Sequence, residues 1–308
     1  MSREICLIFP GQGSQQLGML TPNLLSNYKD IILESSDLLG FDFIKLINED
    51  PDGLLNQTSF TQPALLLTSY LHFLNFKDIT NIKPFVLAGH SLGEYTALVA
   101  SNSIDFFDAL NLVRNRGVLM ESAPEGSMAA IMGLDVMTLK DICSVEENTS
   151  GLIVSCANLN SPIQTVIAGN SNAVSNVCEK AKEAGAKRAI TLNVSVPSHC
   201  MLMDKPATLF NESLNKAFIS EPETKIIQNY SGDFSDNIEL IKSNLVKQLT
   251  GSVKWVDIID KIKNLDTLVI ECGPGKVLQG IGRSNNLSDI LISSDDNFKD
   301  NLKGLLNE

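Results

Sequence analysis

The residues Gly89-His90-Ser91-Leu92-Gly93 separate two apolar segments of different period. Pro84 to Ala88 before them is short and β-prone, while Glu94 to Ala100 after them carries Tyr95, Leu98 and Val99 at helical spacing. A strand that turns at once into a helix strains the backbone at the turning residue, and a glycine on each side lets the chain pass that closely. The pattern predicts a serine mounted at the end of a strand. Its hydroxyl would stand at the positive end of the following helix, with the Leu92 N–H placed to receive a developing oxyanion. In a plain loop the same five residues would carry no such meaning; the flanking strand and helix supply it.

Segments further out alternate in the same way. Ile5 to Phe9 reads as a buried strand closed by Pro10 and the turn Gly11-Gln12-Gly13. Pro63 to Phe76 predicts a helix with Leu66, Tyr70, Phe73 and Leu74 on one face, and Asp105 to Met120 another with Phe106, Leu110, Val113 and Leu119. Strand–helix alternation with glycine turns at strand ends signifies a parallel α/β sheet. After residue 126 the order changes. Met128 to Gly133 predicts a strand and Asp135 to Glu147 a helix. Leu152 to Ala157 and Thr165 to Ala168 predict strands around an Asn160-Ser161-Pro162 turn. A helix capped by Ser171 and ended by Gly185 then leads to a strand from Lys187 to Val194. The order β-α-β-β-α-β is the ferredoxin-like pattern, so residues 127–194 are expected to form a small domain inserted into a larger one made of 1–126 and 195–308. In the second part of that larger domain, Asp236 to Leu249 and Trp255 to Lys263 predict helices. Leu268 to Glu271 predicts a strand, followed by Gly273-Pro274-Gly275 and a helix from Lys276; the polar tail after Ser293 predicts at most a short terminal helix.

Composition narrows the function classes. Of 308 residues 44% are hydrophobic, which supports a core and excludes global disorder. Lys and Arg number 24 against 36 Asp and Glu, a net charge of −12, and phosphate contacts with nucleic acid need the opposite balance. The cysteines Cys6, Cys143, Cys156, Cys178, Cys200 and Cys272 contain no C-x-x-C pair, so neither a disulfide framework nor a zinc site is expected. Met1-Ser2-Arg3-Glu4 is too brief for a signal-peptide core, and no apolar run reaches transmembrane length. A cytoplasmic protein without membrane or nucleic-acid partners is the expectation.

A serine hydroxyl needs a base within hydrogen-bond reach. His72 lies in a helical apolar pattern and is expected at the surface or core edge. His90 precedes Ser91, so its side chain should turn to the opposite side and pack under the turn. His199, in Val196-Pro197-Ser198-His199-Cys200 at the return to the larger domain, is the base by elimination. The group that orients it stays open: an acid, or a backbone or amide carbonyl. Gln12 has glycine neighbours that would let its N–H reach a second oxyanion position. A dinucleotide loop there fails on spacing, because Gln16 stands where the third glycine belongs, and Gly273-Pro274-Gly275-Lys276 lacks the Walker spacing. Arg114 and Arg116, two residues apart on a helix, point to different faces, so at most one can enter a site. A buried arginine beside an acyl pocket would select a free carboxylate, but spacing alone predicts two solvated charges.

The set Phe9-Pro10-Gly11-Gln12-Gly13-Ser14-Gln15, Gly89-His90-Ser91-Leu92-Gly93-Glu94-Tyr95, Arg116-Gly117, Asn158-Leu159-Asn160-Ser161-Pro162, Val196-Pro197-Ser198-His199 and Glu271-Cys272-Gly273-Pro274-Gly275 resembles the malonyl-CoA:acyl carrier protein transacylases of bacterial fatty acid synthesis. The resemblance implies an α/β-hydrolase-like large domain with an inserted ferredoxin-like small domain. It implies ping-pong transfer of a malonyl group from coenzyme A to the phosphopantetheine thiol of acyl carrier protein. By the same resemblance Ser91 is the acylated nucleophile and His199 its base and acid, while Arg116 pairs with the malonyl carboxylate. Gln12 and Leu92 supply the oxyanion amides, and Gln248 the backbone carbonyl that orients the histidine. No cofactor is implied, the coenzyme A thioester being a substrate, and a monomer is expected. An esterase would use the same serine and histidine but has no need of Arg116. Carrier proteins are acidic as a class and this chain is itself −12, so docking is expected on a local basic patch, with Lys187, Arg188, Lys276 and Arg283 as candidates.

Overall fold

Alternation along the first strand sets the layers. In β1 (Ile5–Phe9) the residues Ile5, Leu7 and Phe9 join one core, while Cys6 and Ile8 join a second on the other face. The remaining strands among the described residues are β2 (Val86–Gly89), β3 (Ser127–Met132), β4 (Val154–Ser161), β5 (Gln164–Gly169), β6 (Arg188–Thr191), β7 (Lys225–Ile227), β8 (Leu268–Glu271) and β9 (Ile290–Ile292). They form a five-stranded sheet in the order β7-β2-β1-β8-β9 and a four-stranded one in the order β4-β5-β3-β6. Every pair of the first sheet is parallel and every pair of the second antiparallel. The computed structural model describes residues 4–194 and 196–306; Met1-Ser2-Arg3 and Ser195, where the two expected domains join, lie outside the described residues.

Helices cover both faces of the parallel sheet. The helix Trp255–Lys263 buries Trp255, Ile258, Ile259 and Ile262, an i, i+3, i+4, i+7 stripe, against Cys6 and Ile8. On the opposite face lies the helix Thr58–Ile79, which starts five residues before the expected Pro63 and contains that proline. Proline has no N–H, so the Ser59 carbonyl four residues back loses its helical donor. The Arg114 guanidinium donates to that carbonyl and lies 4.2 Å from the centre of the Phe60 ring. His72, on the same helix, is not at the surface: it is buried, and burial lowers its pKa to about 4, with the Ser293 backbone opposing. Among the described residues no helix is long and apolar enough to cross a membrane.

The antiparallel sheet packs one face on the helices Val136–Ser150 and Ser171–Glu183 and the other on Cys200 and Leu202. Several of its bounds differ from expectation. β4 runs through Asn160 and Ser161 because two irregularities in its pairing with β5 let it continue, so the turn falls at Pro162 and Ile163. Asn170, not Ser171, precedes the second helix, and its side chain receives the Ile153 N–H instead of capping. β6 stops at Thr191 rather than Val194; Leu192 and Val194 leave the sheet to border the cavity described below. The tail forms the helix Phe298–Leu306, anchored by buried Phe298, Leu302 and Leu306.

Candidate active site

The turn after β2 is as tight as its glycines demand. A Cβ on Gly89 would lie 1.9 Å from the Gly93 carbonyl carbon, and one on Gly93 would lie 2.1 Å from the Phe9 carbonyl oxygen. Between them Ser91 adopts φ +52°, the left-handed region. Asn229, two residues past β7, spans the turn. Its Oδ1 accepts from the Ser91 N–H at 2.6 Å and its Nδ2 donates to the Gly89 carbonyl at 2.6 Å. Because the Ser91 N–H is engaged there, the next amide along the turn is that of Leu92.

Ser91 Oγ lies 2.8 Å from His199 Nε2, and His199 Nδ1 lies 2.6 Å from the Gln248 backbone carbonyl. A carbonyl only accepts, so Nδ1 carries the proton and Nε2 presents its lone pair to the hydroxyl. Burial lowers the imidazole pKa to about 3; the Gln248 bond opposes this and the Arg116 charge adds to it. The ring is therefore neutral at physiological pH and able to accept a proton.

Arg116 is 1% exposed, against the solvated position that spacing alone predicts. Two residues along a helix turn the side chain by about 200°. That rotation sends Arg114 to Ser59 and Arg116 into the core. Arg116 Nη1 donates to Gln62 Oε1 and Nη2 to Gln248 Oε1, both at 2.9 Å. Neither its Nε nor the nearby buried Tyr95 hydroxyl makes a hydrogen bond of full geometry. The contacts made by its terminal nitrogens are to neutral amides, which orient the charge without cancelling it.

Ser91, Leu92, Gln12, Arg116 and His199 border one cavity of about 80 Å³, closed from the antiparallel sheet by Met128, Leu192 and Val194. Gln12 is fixed by a 3.2 Å bond from its side chain to Thr58 Oγ1. His90 also borders this cavity rather than turning fully away. It reaches Asn160 Oδ1 at 2.9 Å and meets the Trp255 ring edge-on, so it buttresses the turn without approaching the serine hydroxyl. A wider hollow of about 480 Å³ lies beyond the Gln12 loop, bordered by Gly13, His72 and Lys276; it includes neither Ser91 nor His199. Gln62, Glu94 and Asn229 were not legible as site residues. Asn229 had a signal in principle, since the end of a strand next to β2 must face the turn, but β7 is only three residues long.

A serine at a strand end, a neutral histidine hydrogen-bonded to it and a buried arginine in the same cavity form an arrangement suited to serine-type acyl transfer. Residues 6–288 match the acyl transferase domain family, and the chain belongs to it. It is similar to the malonyl CoA-acyl carrier protein transacylase of Haemophilus influenzae, 42% identical over 287 residues that cover 91% of each chain. The structure of the malonyl CoA-acyl carrier protein transacylase from Coxiella burnetii superposes with a TM-score of 0.94 at 37% identity, covering 100% of this chain and 99% of that one. A malonyl-transacylase solved in complex with its type II PKS acyl-carrier protein gives 0.92 at 38% identity, covering 99% of this chain and 100% of that one.

Proposed function

We infer that this chain transfers the malonyl group of malonyl-CoA to the phosphopantetheine thiol of acyl carrier protein, through a malonyl–Ser91 ester, to supply extender units for fatty acid biosynthesis. The observation that carries the reading is Arg116: a buried guanidinium, held by the Gln62 and Gln248 side chains with no carboxylate bonded to it directly, borders the same cavity as Ser91 and suits an acyl group that brings its own carboxylate. His199 Nε2 takes the Ser91 proton as Oγ attacks the thioester carbonyl, and the Leu92 and Gln12 amides receive the oxyanion. Collapse expels the coenzyme A thiolate, which leaves with the proton from His199. The carrier thiol then gives its proton to His199 and attacks the ester, and Ser91 recovers the proton as it departs. Gln248 holds Nδ1–H throughout. The reading makes the protein a cytoplasmic monomer with no cofactor beyond its thioester substrate.

Intact mass tests it. One malonyl adduct should form with malonyl-CoA and be discharged on adding carrier protein; discharge by water at the same rate would make the protein a hydrolase instead. Docking has its own test. Lys187, Arg188, Lys276 and Arg283 are all exposed. Charge reversal at a docking residue should raise the KM for carrier protein, leave that for malonyl-CoA unchanged, and lose its effect as salt shortens the screening length to about 10 Å at 0.1 M. If all four reversals leave carrier kinetics untouched at low salt, the patch lies elsewhere.

A further inference from the structure

Glu94 is 1% exposed, three residues after the nucleophile on the helix Gly93–Ala100, and among the described residues no lysine or arginine forms an ion pair with it. Its Oε2 accepts from Gln248 Nε2 at 2.6 Å, while Gln248 Oε1 accepts from Arg116 Nη2 at 2.9 Å. One amide therefore bridges a buried cation and a buried carboxylate, donating to one and accepting from the other. The charged and titratable groups facing Glu94 are Arg116 from the helix Phe106–Glu121, Tyr95 beside it, and His199, which is held by the Gln248 carbonyl. Asn229 and Gln228 add neutral contacts after β7. Burial raises the Glu94 pKa to about 7, against the opposing pull of Gln248, Asn229, Gln228 and Arg116.

We propose that Glu94 is the counter-charge of Arg116 in the empty enzyme and takes up a proton when a substrate carboxylate binds that arginine. This rests on the malonyl reading above. The empty site holds one cation and one anion separated by an amide. A malonyl carboxylate on Arg116 makes two anions share one cation in a low-dielectric cavity, and such sites resolve the conflict by protonating one of them. The malonyl group would hold the guanidinium directly; Glu94 reaches it only through Gln248 and is already poised to protonate, so Glu94 yields. An acetyl group brings no charge and leaves Glu94 as it was. Glu94 is thus a positioning residue that balances charge through Gln248. It makes malonyl binding tighter on the acid side of its titration and weaker on the alkaline side, with no matching trend for acetyl.

Acylation offers a direct readout, because its chemistry is proton-neutral: a hydroxyl becomes an ester as a thioester becomes a thiol. Enzyme is mixed with malonyl-CoA or acetyl-CoA at about pH 7.5 in weak buffer with an indicator dye, and the Ser91 adduct is counted by intact mass in the same sample. A rise of at least one pKa unit at Glu94 corresponds to about half a proton taken up per malonyl adduct. Acetyl-CoA, which releases the same thiol, should show none of this uptake. Glu94→Gln should lose the uptake while still being malonylated, and should flatten the rise of the malonyl-CoA KM above pH 7. Malonylation of the wild type without uptake, or equal uptake with both thioesters, overturns the proposal even if the variant fails to fold. Unchanged uptake in a folded Glu94→Gln protein overturns it too. Failure of any malonyl adduct to form would instead overturn the malonyl reading.

Discussion

Alanine at position 91 is expected to abolish the malonyl adduct and to lower transfer by about a millionfold, the scale of loss when the nucleophile of a serine–histidine pair is removed. Without Oγ, His199 has no proton to take and no atom remains to hold the acyl group. Cys200, next to the histidine, cannot substitute. It is fully buried, donates to the Pro197 carbonyl at 3.2 Å, and burial raises its pKa to about 11. The fold should survive, because Asn229 grips the backbone of residue 91 and not its side chain. Labelled malonyl that stays on the Ser91→Ala protein after denaturation would reject the assignment. The wild-type adduct should behave as an oxygen ester, resisting hydroxylamine treatment that releases thioesters.

Arg116→Ala should lower kcat/KM for malonyl-CoA by about thirtyfold to several thousandfold, the equivalent of about 2–5 kcal/mol for a desolvated charge pair left half empty. The malonyl carboxylate would then face Gln62 and Gln248, whose side-chain oxygens have lost their donor, with Glu94 behind them. Acetyl-CoA should be spared or improved, because an acetyl group brings no carboxylate for the guanidinium to hold. Steady-state kinetics with both thioesters decide the matter. An equal loss on both would make Arg116 a structural residue.

What could be read from the sequence follows from how strongly each segment repeats. β1, β8 and the helix Trp255–Lys263 fall on the expected residues, since each is a short apolar run or a full stripe with clear ends. The helices Pro22–Asn27 and Phe43–Asn48 were missed because six residues show less than two turns of period, and β7 and β9 because three residues cannot show alternation. The pairing of Ser91 with His199 was legible because the chain has only three histidines to choose from. Arg116 was not legible from spacing: two residues apart, the arginines had to face different ways, but which one turned inward depended on partners outside the helix, the Ser59 carbonyl and the Phe41 and Phe60 rings that hold Arg114. The orienting group of His199 stayed open for a similar reason. It is a main-chain oxygen, which every residue has, so no residue type announces it.

Among the described residues six non-glycine residues have positive φ, and four of them are Asp or Asn, types that tolerate it well; the other two are Ser91 and His199. At such a backbone glycine is the comfortable choice, by about 1 kcal/mol over a residue with a Cβ. Ser91→Gly should therefore melt higher than Ser91→Ala, the reverse of the order that glycine and alanine show in a helix or strand, and a lower melt for the glycine protein would show that the turn carries no strain. On the proposed mechanism the substitution that relieves this backbone also removes the nucleophile, so stability and activity pull in opposite directions at residue 91.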